Sequence, residues 1–70
     1  MPDSVYKVIE LVGSSEKGWE DAVKTIITRA SKTVRDLRVA EVIKLDVKIG
    51  DNQVILYRAR MKVSFKFEEK

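Results

Sequence analysis

Arg58, Arg60, Lys62 and Lys66 stand at alternate positions near the end of the 70-residue sequence, with Ser64 between the last two. Side chains two apart on a strand share a face, so this spacing makes a row of four cations. Such a row can recognise an anion or pair with carboxylates on a neighbouring strand. The interleaved Ile55, Tyr57, Ala59, Met61, Val63, Phe65 and Phe67 are apolar or small. Residues 53–67 therefore read as one long strand with a dry face and a basic face. Lys44 and Lys48 extend the basic face, and Asp46 and Glu41 are placed to neutralise part of it.

Chemistry beyond ion pairing has little support. The chain has no His and no Cys, which removes the common neutral-pH acid/base, His-assisted nucleophiles, thiolate metal sites and disulfides. Ser4, Ser14, Ser15, Ser31 and Ser64 have no histidine partner, and Glu10, Glu16, Glu41, Asp46, Asp51 and Glu68 show no catalytic spacing. The sequence predicts a protein that is not an enzyme. The run GSSEKG at 13–18 resembles a phosphate-binding turn, but Trp19 follows Gly18 where the phosphate loop needs Lys. It reads as an ordinary strand-to-helix connection.

Three strands and a helix must position these groups. Residues 4–12 read as a strand ended by Gly13-Ser14-Ser15, with a loose end over 1–3 around the only proline, Pro2. Residues 19–37 read as a helix, because Trp19, Ala22, Val23, Ile26, Ile27, Ala30, Val34 and Leu37 form one apolar stripe. Gly18 is its expected N-cap with Asp21 at N3, and Trp19, at the head of the stripe, is expected in the core. Residues 39–49 read as a second strand with Val39, Ile43, Leu45, Val47 and Ile49 on the apolar face, interrupted by Glu41. Gly50-Asp51-Asn52 is the turn of a hairpin. The expected fold is α+β: a single domain over residues 1–70, β-α-β-β, with an antiparallel sheet ordered 1-3-2 and the helix on one face.

Lengths then conflict. A 19-residue helix spans about 28 Å at 1.5 Å per residue, whereas a 15-residue strand spans about 50 Å. The overhanging dry surface calls for another copy of the chain. Small domains without disulfides also commonly rely on oligomerisation.

The net charge is +3, from 14 basic and 11 acidic residues, which predicts solubility rather than a polyanionic partner. Sheets that read single-stranded nucleic acid carry stacking aromatics on the basic face; here Tyr57, Phe65 and Phe67 alternate onto the other one, against nucleic-acid binding. No apolar run reaches the ~18 residues of a membrane span, and the N-terminus has no signal-peptide pattern. Both point to a cytoplasmic protein with no membrane partner.

The ordered set VYKVIELVGSS, GWEDA, RASKTVRDLRVAEVIKLDVKI and YRARMKVSFKF resembles the dodecins over nearly the whole chain. The resemblance implies a non-enzymatic homododecameric cage, with helices outside and sheets facing a cavity, that binds or sequesters a small ligand. The family default is a flavin such as FMN or riboflavin. Flavin-binding dodecins place an aromatic, usually Trp, at the position matching Val39, and a Gln at the position matching Arg58. Val39 offers no stacking surface, and Arg58 only donates hydrogen bonds where Gln also accepts. Both departures predict weak or absent flavin binding. The resemblance also implies that Arg60, Lys62 and Lys66 face the cavity. Dodecins without the stacking aromatic have been associated with calcium, for which Glu10, Glu41 and Asp46 are the candidate ligands here, across a symmetry axis.

Overall fold

The computed structural model describes residues 4–67. The loose end expected over 1–3, and Glu68, lie outside the described residues. The elements are β1 (Tyr6–Ser15), α1 (Trp19–Ala30), β2 (Leu37–Gly50) and β3 (Gln53–Lys66). They form a β-α-β-β fold with one antiparallel sheet ordered β1-β3-β2, as the sequence predicts.

The helix is shorter than its apolar stripe implies. It ends at Ala30, not at residue 37. The sequence Ser31-Lys32-Thr33 follows, and two of its hydroxyls turn back onto the helix: Ser31 Oγ donates to Thr28 O at 2.8 Å and Thr33 Oγ1 to Ala30 O at 3.4 Å. Such bonds offer the backbone an alternative to further helix. Asp36 then adopts φ 61° and reverses the chain. Leu37 still packs against the core, from the start of β2.

Helix α1 lies over β1 and β3. Ala22 and Ile26 meet Ala59, Met61 and Val63, with Ile9, Leu11, Val23 and Ile27 around them. Gly13 makes this close approach possible: a Cβ there would lie 2.4 Å from Ile26 Cγ1 and 3.3 Å from the Ala22 carbonyl oxygen. Gly13-Ser14-Ser15 therefore continues β1 rather than ending it.

Irregularities in β2 decide what faces where. Directly opposed residues in an antiparallel pair share a face, and the pairing shifts between Leu37 and Val39 and between Val42 and Lys44. Ala40, Val42, Leu45 and Val47 oppose Val63, Met61, Ala59 and Tyr57, on the helix side. Val39 and Glu41 oppose Ser64 and Lys62, on the helix-free side. Val39 is thus not on the apolar face with Leu45 and Val47, and Ile43 falls at the shift without a partner. The apparent interruption at Glu41 disappears, because the shifts carry that charge to the polar side. The loop is two residues, Asp51 and Asn52, both at positive φ, with Gly50 paired to Gln53. This is the backbone of a tight hairpin whose twist matches the strands.

The molecule measures 54 × 20 × 15 Å with a radius of gyration of 14.7 Å, against about 11 Å for a compact 70-residue domain. Its accessible surface is 5809 Å², against about 4,450 Å² for a compact 8 kDa monomer. Part of the exposed surface is apolar and lies toward the hairpin tip: Leu45, Ile49, Val54 and Ile55 are all exposed.

Gly13→Ala should overpack the β1–α1 contact and cost about 1–3 kcal/mol, read as a lower urea midpoint. An unchanged midpoint would show that Ile26 has room to move.

Candidate functional site

The helix-free face is a set of cross-strand rows. From β1 through β3 to β2 they read Val8–Ser64–Val39, Glu10–Lys62–Glu41, Val12–Arg60–Lys44 and Ser14–Arg58–Asp46. Lys66 opens the series beside Tyr6. All four predicted cations lie on this face, and Tyr57 and Phe65 lie on the other, as the alternation requires. Tyr6, exposed and opposite Lys66, is an aromatic on the polar face that the period of β3 could not reveal.

Three carboxylates answer these cations. Glu10 Oε2 lies 3.8 Å from Arg60 Nε, and Lys62 stands between Glu10 and Glu41 in register. The tightest pair is Arg58 with Asp46: Nε donates to Oδ1 at 2.7 Å and Nη2 to Oδ2 at 2.9 Å. Parallel donation of this kind fixes the guanidinium plane as well as its position. The Arg58 hydrogen bond holds the Asp46 carboxyl below its ordinary 3.8; partial desolvation opposes the shift, and Arg58, Lys44 and Arg60 add favourable charge. The same bond raises the Arg58 pKa.

A second tie reaches Asp46 from the helix. Trp19 Nε1 donates to the Asp46 carbonyl oxygen at 3.0 Å, and the indole meets Tyr57 edge-on at 5.2 Å between centroids. Trp19 is 39% exposed, so it clamps the first turn of α1 onto the hairpin instead of entering the core as its place in the stripe suggested. Gly18 is the N-cap, as expected. Asp21 accepts from Ser15 Oγ at 2.6 Å, and Lys17 N donates to the same Ser15 oxygen at 2.9 Å. GSSEKG is therefore built as a helix entry.

The predicted site residues divide into separated groups. Val39 and Arg58 share the helix-free face, but the β3 partner of Val39 is Ser64, six residues from Arg58. That is about 20 Å along one chain. Val39 is 63% exposed beside Val8, an apolar pair flanking the Ser64 hydroxyl, which donates to Val39 O at 3.3 Å. Glu10 and Glu41 flank Lys62 in one row and Asp46 lies two rows away, and among the described residues no three His, Cys, Asp or Glu side chains gather as a metal site. A groove of about 500 Å³ between β1 and α1, lined by Ile9, Leu11, Ile26, Arg29 and Val34 among others, contains none of the predicted site residues.

The sequence matches the Dodecin family over residues 5–68. The chain belongs to the dodecin family. Calcium dodecin of Mycobacterium tuberculosis is 44% identical over 63 residues, covering 90% of this chain and 89% of that protein. Dodecin of Thermus thermophilus is 43% identical over 65 residues, covering 93% and 94%. The structure of dodecin from Streptomyces coelicolor superposes with a TM-score of 0.93 at 38% identity and full coverage of both chains. No helix among the described residues is long and apolar enough to cross a membrane.

Because its folded pKa is depressed, Asp46 contributes stability above its ordinary carboxyl pKa and loses it as pH falls through the lower folded value. The melting-temperature difference between wild type and Asp46→Asn should be constant from pH 7 to about 5 and disappear in stronger acid. A difference independent of pH down to full protonation would show that the ion pair is not its source.

Proposed function

We propose that this dodecin is a non-catalytic, homododecameric cage that binds or sequesters a small ligand at contacts between protomers, FMN or riboflavin being the family default, held weakly here because Val39 and Arg58 replace the usual Trp and Gln. One observation carries the reading: a long β2–β3 hairpin whose helix-side apolar residues have no cover in their own chain. Leu45 is 48% exposed although it opposes buried Ala59. Fully burying an aliphatic side chain stabilises by about 1.5–3 kcal/mol, so covering this strip with a second copy is a large driving force. Assembly also supplies what one chain lacks, because Val39 and Arg58 lie too far apart to serve one ligand unless different protomers contribute them. Arg60, Lys62 and Lys66 then line the shared interior.

The name of the Mycobacterium tuberculosis relative supports a second reading, a structural assembly that binds calcium. Glu10, Glu41 and Asp46 would act there with carboxylates from other protomers, since one chain does not supply the 6–8 oxygens calcium takes.

Riboflavin and FMN fluorescence should be quenched only weakly by the wild-type protein, and strongly by the variant combining Val39→Trp with Arg58→Gln, because base-type stacking on an aromatic adds about 1–3 kcal/mol per ring. A folded double variant that leaves flavin fluorescence unchanged would remove Val39 and Arg58 from the pocket. A melting temperature raised by calcium and lowered by chelator, with no quenching in either protein, would select the calcium reading.

A further inference from the structure

The fork between Arg58 and Asp46 uses a particular edge of the guanidinium. An arginine carries five N–H donors. Asp46 takes the one on Nε and one on Nη2. Both hydrogens of Nη1 and one of Nη2 remain, and the end of the guanidinium still offers two parallel donors. Both side chains stay partly exposed, 47% for Arg58 and 38% for Asp46, so those donors are open to a ligand. Two features hold the pair in place: direct opposition in the ladder and the Trp19 indole on the Asp46 carbonyl.

A free arginine at this position would be an anion receptor, because its fork matches carboxylate and phosphate oxygens. Here a carboxylate from the same chain already occupies that role. What is left is a donor edge on an ion pair of zero net charge.

We infer that Asp46 sets the ligand class of this position: it masks Arg58 from anions and presents the two parallel N–H groups at the free end of the guanidinium to a neutral, planar heterocycle with adjacent carbonyl oxygen and bare ring nitrogen acceptors. The inference rests on the ligand-binding reading above and adds the residue that gives it selectivity. Asp46 is a positioning residue, acting on the ligand through Arg58. The Arg58 position thereby regains the neutral character that an amide side chain would have, although it donates only.

Calorimetric titration of the assembled protein with riboflavin, as the neutral ring, and with inorganic pyrophosphate, as the anion, tests this in wild type, Asp46→Asn and Asp46→Asn with Arg58→Gln. Asp46→Asn should bind pyrophosphate at least tenfold more tightly than wild type and riboflavin several-fold more weakly, and adding Arg58→Gln should abolish the pyrophosphate gain. Unchanged Trp19 emission certifies the fold, since its hydrogen bond goes to the backbone of residue 46. Pyrophosphate affinity that stays within twofold of wild type, or a gain that survives Arg58→Gln, overturns the inference. A pyrophosphate gain that needs Arg58, in a protein that never binds riboflavin, upholds Asp46 as the mask and contradicts the flavin-type pocket, so the two failures are distinguishable.

Discussion

A helix of 12 residues serves a hairpin whose strands are 14 residues each, and the rest of the structure answers to that mismatch. The helix covers about 18 Å of a strand that runs about 46 Å. Where it covers the sheet, the interior is dry: Met61 is 1% exposed and Val63 is fully buried. Beyond Tyr57, the last β3 residue paired with β1, the hairpin continues alone with its apolar side unprotected. A monomer built this way holds too little core for its length. The proposed assembly would cover this strip with a second copy, and the proposed site between protomers follows from the same requirement.

The polar face is organised by cancellation. Four cations on one strand would repel one another and raise the cost of the fold, yet Glu10 and Glu41 flank Lys62 and Asp46 stands opposite Arg58 on the neighbouring strands. Among the described residues, only the Arg58–Asp46 pair has the short, two-pronged geometry that fixes orientation; the 3.8 Å approach of Glu10 to Arg60 is looser. The basic row is thus a mixed surface with one rigid feature, and that feature lies where the dodecin resemblance places ligand recognition.

Much of this was legible in the residues. Strict alternation in β3 located its two faces, and the helical stripe located the buried Ala22, Ile26 and Ala30. The strand order followed from connection lengths and handedness. The losses came from local backbone events that composition does not signal. Hydroxyl back-bonding stopped α1 seven residues early, although Val34 and Leu37 kept helical spacing. Extra residues in β2 moved Val39 to the opposite face. A two-residue turn alone would set Asp46 across from Tyr57; the irregularity near the tip, where Lys48 pairs with Leu56 and Ile49 with Val54, moves its partner to Arg58. Without that shift the ion pair would not exist, and no residue type in the sequence announces it. The Trp19 bond to a backbone carbonyl was equally hidden, because periodicity treats an indole as apolar and ignores its N–H.

The central claim is that the hairpin overhang is completed by other copies of the chain. Native mass spectrometry of the unmodified protein at neutral pH tests it most directly. The account predicts a closed species twelve times the 8.0 kDa chain mass. A population that is only the 8.0 kDa monomer would contradict it.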